Sequence, residues 1–262
     1  MTRPTPRRDR PTKLRTNVAM LLVTACLAPL VTGCATGNDG RRTIRLINGK
    51  PEATRYVSPN AYQHYLEARL LIGRHDITGA IKHLRTALLF DEHSPLLYTE
   101  LARLYQGRAA HKKARATLDK ALAIQSDFPD ALLIAGEFAE KEHPAEAIRA
   151  YRRCVTTDPA FPPCAQRLAK LYEGQDRSKE ARAIWLNLVK HRPQDARAHA
   201  HFGDFCLRHL DLACAATHYA QALTRRAPLG LLLRIAQTER ALGHFPQAAK
   251  ILHEVFDRSD GS

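Results

Sequence analysis

The amino-acid sequence predicts an all-α chain in which about six helix–turn–helix units stack into a solenoid. Two observations predict this fold: small residues recur every 33 or 34 positions, and a bulky residue follows each recurring alanine by four positions. With 45% hydrophobic and 25% charged residues, the chain has enough apolar side chains for a core. A third observation, a basic and then apolar N-terminus, predicts that the chain is exported.

Three series of residues carry the repeat. The first series consists of alanines spaced by 34, 33, 34, 34 and 33 residues: Ala80, Ala114, Ala147, Ala181, Ala215 and Ala248. The second series, eleven or twelve residues earlier, contains only small residues: Ala68, Ala102, Gly136, Ala169, Gly203 and Ala236. The third series, four residues later, is large and apolar or aromatic: Leu84, Leu118, Tyr151, Trp185, Tyr219 and Leu252. Two helices approach closely only where side chains are small, so we expect one helix pair per unit, with the bulky residue filling the space beside the contact.

The units resemble the tetratricopeptide (TPR) repeat family, whose 34-residue unit has the pattern W-x2-L-G-x2-Y, then A-x3-F, then P. The best copy is LAKLYEGQDRSKEARAIWLNLVKHRP, from Leu168 to Pro193. Glu67 departs from the pattern because it stands at an apolar position, and Glu239 replaces a tyrosine-like residue. The resemblance implies a right-handed superhelix over residues 61–258, followed by a C-terminal tail at 259–262.

The resemblance also implies a binding groove lined by the first helix of each unit. We expect Thr99 and the following residues to face that groove: Tyr62, Tyr65, Arg69, Arg103, Glu137, Arg167, Lys170, Arg197, His201, Asp204, Arg234 and Gln237. The set leans basic, and its cations can bind an acidic segment of a partner protein through charge-assisted hydrogen bonds. A merely solvated basic face is the alternative.

Residues 1–33 are typical of an export signal. Residues 1–17 are basic and polar, and residues 18–33 are apolar or small but too short to span a bilayer comfortably. The sequence Val-Thr-Gly-Cys at 31–34 resembles the lipobox of bacterial lipoproteins, which implies cleavage before Cys34 and acylation of its thiol. A leader cleaved elsewhere, or a weak anchor with an incidental cysteine, is the alternative.

The same resemblance implies an outer-membrane protein that faces the periplasm of a Gram-negative bacterium, because Ala35 replaces the aspartate that usually retains lipoproteins at the inner membrane. Residues 34–60 then form the lipidated N-terminus and a flexible tether, since they contain Gly, Asn, Asp, Pro and several Arg.

Four cysteines remain after Cys26 in the leader and Cys34 are set aside. Cys154 ends one unit and Cys164 opens the next, whereas Cys206 and Cys214 lie on the two helices of one unit. An exported chain permits disulfides, and both local pairs are geometrically plausible. Small buried thiols in tight packing are the alternative.

The sequence shows no pattern of catalytic or metal-binding residues. It contains no GxSxG, GxxxxGK[ST], HExxH, GxGxxG or CxxC motif, and its histidines are scattered. We therefore expect no enzyme activity, no metal, no cofactor and no small-molecule substrate. The formal net charge of +14 suits nucleic acid in general, but an exported protein rarely meets nucleic acid, so we expect none as a partner.

These observations predict a lipid-anchored scaffold that binds protein components of an envelope complex. The layout, a lipobox followed by about six TPR units, is similar in architecture to the pilotins of type IV pilus secretins. A peptidoglycan-binding protein or an accessory factor of an envelope enzyme is the alternative function.

Overall fold

The computed structural model describes residues 42–47, 50–55, 57–224 and 227–260. The predicted signal peptide, Cys34 and Ala35 lie outside these residues, so their assignment stays a prediction. Twelve helices occupy the described part of the chain after residue 58: α1 (Pro59–Gly73), α2 (Ile77–Phe90), α3 (Pro95–Gly107), α4 (His111–Ile124), α5 (Pro129–Ala139), α6 (Pro144–Thr157), α7 (Pro162–Glu173), α8 (Ser178–His191), α9 (Ala196–Arg208), α10 (Leu212–Ala222), α11 (Leu229–Ala241) and α12 (Phe245–Asp260).

The helices form six consecutive pairs, as the repeat predicts. Each odd-numbered helix packs against the helix that follows it, and each even-numbered helix from α2 to α10 also contacts the first helix of the next pair. Buried side chains run through the stack from Ala61 to Ala248. The prediction of an all-α solenoid of about six repeats is therefore confirmed.

Local sequence explains where the helices begin. Proline occupies one of the first two positions of α1, α3, α5, α6 and α7, where the missing N–H costs no intrahelical hydrogen bond. Side chains of Asp76, Ser94, Asp195 and Asp211 accept hydrogen bonds from backbone N–H groups at the starts of α2, α3, α9 and α10. These caps satisfy amides that the first turn of a helix leaves unpaired.

The three recurring series meet at the crossing of each helix pair. The first-series alanines and the small second-series residues are all buried. A Cβ atom added to Gly203 would lie 2.6 Å from the Tyr219 ring, and one added to Gly136 would collide with the Tyr151 ring. The bulky third-series residue therefore fills the space beside the crossing, as predicted, in five repeats. Leu252 of the last repeat is the exception because its side chain is exposed.

The turn within a repeat is the same in five of the six pairs. One residue, five positions before the first-series alanine, adopts a positive φ: His75, Ala109, Asp176, Leu210 and Gly243. The following N–H in each of these turns bonds back to a carbonyl five residues earlier, which closes the end of the first helix. The third repeat has a turn one residue shorter and no positive-φ residue there.

Part of the predicted tether has regular structure. Residues Arg42–Ile47 (β1) and Lys50–Arg55 (β2) pair as an antiparallel hairpin, with Arg42 opposite Arg55 and Ile47 opposite Lys50. This corrects the expectation of a wholly flexible segment at 34–60. The sequence between the strands is Asn48-Gly49, a pair typical of two-residue hairpin loops, and the composition argument overlooked it.

Two disulfides join helices of the third to fifth repeats. Cys154 of α6 bonds to Cys164 of α7, which links the third repeat to the fourth. Cys206 of α9 bonds to Cys214 of α10 within the fifth repeat. Cys154, Cys164 and Cys206 are fully buried. Each disulfide therefore ties together two helices that also pack through their side chains.

None of the twelve described helices has the length and continuous apolar character of a membrane-spanning helix.

Candidate protein-binding face

The predicted groove residues lie on the first helices α1, α3, α5, α7, α9 and α11. Seven of them are exposed: Tyr62, Arg69, Arg103, Lys170, Arg197, His201 and Gln237. Five others are partly buried: Tyr65, Glu137, Arg167, Asp204 and Arg234. We call this surface the first-helix face.

Thr99 does not belong to the first-helix face. Its side chain is fully buried in α3, and its Oγ1 donates a hydrogen bond to the carbonyl of Pro95 one turn earlier. Threonine satisfies its hydroxyl this way inside a helix, so the side chain needs no contact with solvent. The sequence position was therefore assigned to the wrong side of α3.

Several groove residues bind each other in place of a ligand. Asp204 of α9 accepts a hydrogen bond from the Tyr219 hydroxyl at 2.7 Å and lies 2.8 Å from Arg234 Nε of the next repeat. Burial, followed by the Asp204 carboxylate, raises the pKa of Tyr219 above its usual range, so the hydroxyl stays a donor. This three-residue contact fastens the two helices of the fifth repeat to the first helix of the sixth.

An equivalent contact joins the third repeat to the fourth. The Tyr151 hydroxyl donates to Glu140 at 2.9 Å, and Arg167 of α7 reaches Glu140 at 3.5 Å and Glu137 at 3.3 Å. Burial, followed by the hydrogen bond to Glu140, raises the pKa of Tyr151. Since Arg167 already pairs with two carboxylates, its role is to hold repeats together and not to attract a partner.

The first repeat is joined to the second by a longer ion pair without a tyrosine–carboxylate hydrogen bond among the described residues. Arg69 Nη1 lies 3.8 Å from Glu100 of α3 and donates to the Tyr65 hydroxyl at 3.5 Å. The exposed cations Arg103, Lys170 and Arg197 have no ion-pair partner among the described residues. These three, and not Arg167 or Arg234, remain available to a ligand on the first-helix face.

A cleft of about 310 Å³ lies between α7 and α9. Its lining combines two predicted groove residues, Lys170 and His201, with four that sequence reasoning missed: Gln166, Glu173, Trp185 and Arg208. Trp185 could have been recognised from the sequence, because it is the third-series residue of its repeat. That series was interpreted only as part of the hydrophobic core.

Charge in the cleft is unbalanced. Arg208 donates to both oxygens of Glu173, at 3.0 Å and 2.9 Å, so these two charges neutralise each other. Lys170 and His201 are exposed, and in the described part of the chain neither has an ion-pair partner. The cleft therefore presents one uncompensated cation, Lys170, with the exposed His201 imidazole among its lining residues.

Trp185 forms the base of the cleft. The indole is 5% exposed, and the His201 ring stacks beside it with a centroid distance of 6.2 Å. The indole Nε1 is buried, and no described residue accepts its hydrogen bond. A buried donor without an acceptor is costly, which sets Trp185 apart from the other third-series residues.

A larger cleft, of about 680 Å³, lies beside α4 and α5. It contains only one predicted groove residue, Glu137, and its lysines and arginine are matched in number by carboxylates: Lys112, Arg115, Lys141, Asp119, Glu137 and Glu142. Size alone favours this cleft, but its charges are balanced. We therefore assign the candidate site to the smaller cleft, where the charge is uncompensated.

Comparison with known proteins agrees with the repeat architecture. A family model described as tetratricopeptide repeat matches residues 138–200, which cover parts of the third, fourth and fifth helix pairs. The chain folds as a TPR solenoid. No curated protein sequence matches it.

Solved structures show the same TPR architecture. PilW, described as a widely conserved type IV pilus biogenesis factor, superposes with a TM-score of 0.60 at 19% identity, over 78% of this chain and 96% of PilW. PilF of Pseudomonas aeruginosa gives the same TM-score, identity and coverage of this chain, over 93% of its own length. A thermophilic TPR protein of Thermus thermophilus gives 0.52 at 15% identity, over 68% and 98% of the two chains. At these identities the likeness concerns the fold.

Proposed function

We propose that this TPR chain is an exported, lipid-anchored scaffold that binds an acidic segment of another envelope protein on its first-helix face. The single observation that carries the proposal is the cleft between α7 and α9, where Lys170 and His201 have no ion-pair partner among the described residues while Glu173 and Arg208 pair with each other. A carboxylate of the partner would complete the charge on Lys170 through a charge-assisted hydrogen bond. The proposed role is non-enzymatic.

The anchor in this proposal is Cys34, with attachment to the outer membrane through acyl chains. Three chains give firm attachment, whereas one chain alone gives only marginal binding. Replacing Cys34 by serine removes the thiol that would be acylated. We expect the native chain to fractionate with outer membranes and its N-terminal peptide to carry acyl mass, and the Cys34→Ser variant to do neither. Native protein without acyl mass would overturn the anchor.

The first machine to test is a type IV pilus assembly. PilW is described as a type IV pilus biogenesis factor and shares the fold of this chain over most of both lengths. A shared fold supports the choice of experiment, because the partner itself must be identified by binding.

The decisive experiment is affinity capture of the full chain from detergent-solubilised envelopes, with identification by mass spectrometry. The test variant is Lys170→Glu, and the matched control is Lys190→Glu, an exposed lysine on α8 outside the cleft. We expect an envelope assembly component with the native chain and the control but not with Lys170→Glu. If the native chain and both variants capture the same partner equally, the cleft is not the binding site. If no protein is captured and the chain instead sediments with purified cell wall, the peptidoglycan alternative is favoured.

A direct measurement follows once a partner is identified. Trp185 is the single tryptophan of the chain, so intrinsic tryptophan emission reports on the cleft alone. Titration with the partner's acidic segment should change the emission of the native chain and leave that of Lys170→Glu unchanged. A segment that binds without any change in emission would place the contact away from Trp185.

A further inference from the structure

Three potential metal ligands converge on the first repeat, at a place unrelated to the cleft. His64 and Glu67 lie on α1, and His83 lies on α2. His64 Nδ1 is 3.2 Å from His83 Nδ1 and 3.2 Å from Glu67 Oε2, and His83 Nδ1 is 2.6 Å from the same carboxylate oxygen. The three donor atoms therefore form a small triangle, and each belongs to a partly buried side chain.

The triangle has the dimensions of a zinc site. Zinc binds imidazole nitrogen and carboxylate oxygen at about 2.0–2.2 Å, so two ligands of a tetrahedral ion lie roughly 3.3 Å apart. The two distances from His64 Nδ1 are 3.2 Å, and only the contact between His83 and Glu67, at 2.6 Å, would have to lengthen. Solvent access to these side chains leaves the fourth position to water.

Hydrogen bonding alone accounts poorly for this arrangement. Both imidazoles turn Nδ1 toward the carboxylate and toward each other. If both Nδ1 atoms carry protons to donate to Glu67, two N–H groups face each other, and if one lacks its proton, a lone pair faces the carboxylate. A cation between the three atoms removes this conflict. Gln63 donates to the other carboxylate oxygen, Oε1, at 3.2 Å and so orients the group with Oε2 toward the histidines.

The fifth repeat supplies an internal comparison. His199 and His218 occupy the same positions relative to the recurring small residues, and their Nδ1 atoms lie 3.0 Å apart. Phe202 stands where the first repeat has Glu67, and His199 Nε2 contacts the carbonyl of Pro193 at 3.2 Å. A histidine pair thus exists without a carboxylate in one repeat and with one in the other. This contrast gives a reason for the departure of Glu67 from the apolar repeat pattern.

We propose that His64, Glu67 and His83 bind one Zn²⁺ ion, which ties α1 to α2 in the first repeat. The ligand set of two imidazoles and one carboxylate with an open position suits zinc and other borderline divalent metals, whereas Mg²⁺ and Ca²⁺ require several oxygen ligands. Sequence reasoning did not predict this site, because the distance of 19 residues between the histidines fits no metal motif and becomes short only when α2 folds back on α1.

The test is calorimetric titration of Zn²⁺ into the purified, metal-stripped full chain. We expect one ion per chain, at least a ten-fold weaker affinity in Glu67→Gln and in His83→Gln, and unchanged affinity in the matched control His218→Gln. Mg²⁺ should not compete. Circular dichroism without metal checks that each variant is folded.

Thermal unfolding gives an independent readout. Zinc that binds only the folded chain raises the melting temperature of the native protein and of His218→Gln, and leaves Glu67→Gln unchanged. The proposal is overturned if the native chain binds no zinc, or if Glu67→Gln binds zinc with native affinity.

Discussion

Glycine stands at a helix crossing in those repeats whose second helix supplies a tyrosine. Gly136 faces Tyr151 and Gly203 faces Tyr219, and in both cases the ring occupies the space that a Cβ atom would need. The repeats with leucine or tryptophan in the third series have alanine at the crossing. The choice of small residue therefore depends on the partner side chain, and each tyrosine in turn donates its hydroxyl to a carboxylate, Glu140 for Tyr151 and Asp204 for Tyr219.

Replacing Gly203 by alanine should destabilise the fifth repeat. The added Cβ would lie 2.6 Å from the Tyr219 ring, so the ring or a helix must move, and overpacking of this kind costs about 1–3 kcal/mol. Gly107→Ala is the matched control, because nothing lies within 4 Å of its added Cβ. Urea unfolding followed by circular dichroism measures both. A Gly203→Ala variant as stable as the native chain would contradict the close crossing.

The His218 imidazole should make stability depend on pH near neutrality. Burial, followed by the charges of His199 on α9 and Arg182 on α8, lowers the pKa of His218 below 6.5. The unfolded chain then binds this proton more readily than the folded chain, so stability is greatest above pH 6.5 and falls as the pH drops below it. The free energy of unfolding of His218→Gln should decline less between about pH 7.5 and 5.5 than that of the native chain. The exposed His111→Gln should decline as the native chain does, and an equal decline in all three would refute the assignment.

At the scale of the helix, the sequence predicts pairing within a repeat better than contacts between repeats. The recurring small residues identify all six crossings because close packing of two helices requires a small side chain at the point of contact. The ion pairs of Arg167 and Arg234 cannot be recognised in the same way. An arginine on a first helix occupies the same sequence position whether it pairs with the neighbouring repeat or is solvated. The groove itself stays a prediction, and the structure shows only that two of its predicted cations, Arg167 and Arg234, already pair with a neighbouring repeat.

The histidine clusters were missed for a related reason. His64 and His83, like His199 and His218, approach each other because the second helix returns along the first, and a separation of 19 residues has no meaning without that geometry. The hairpin is different, because Asn48-Gly49 between two runs of residues was readable from the sequence. The composition of the whole segment predicted flexibility, and the Asn-Gly turn signal within it was overlooked.

Charge reversal should separate cations that hold repeats together from cations that are free. Arg167→Glu places a third carboxylate beside Glu137 and Glu140, so we expect a loss of roughly 1–3 kcal/mol in the free energy of unfolding. Lys170→Glu lies one turn away on the same helix and should change stability by about 0.5 kcal/mol or less. Denaturant unfolding at low ionic strength compares them. Equal losses would show that Lys170 also serves the fold, and would weaken its use as a probe of binding.

The twelve helices pack sequentially, each pair against the next, so a perturbation should spread only to neighbouring repeats. In such solenoids each unit contacts the next, and stability is approximately a sum of unit and interface terms. The disulfides Cys154–Cys164 and Cys206–Cys214 close short loops in the third to fifth repeats, and each is worth about 2–3 kcal/mol in the chain-entropy view. Reduction should therefore speed amide hydrogen exchange in α6 to α10 and leave the slowest amides of α1 and α2 unchanged. A variant with all four of these cysteines replaced by alanine should show the same regional pattern without reductant. If exchange instead rose equally in all twelve helices, the stack would unfold as one cooperative unit, and the disulfides would stabilise the first repeat as much as the fifth.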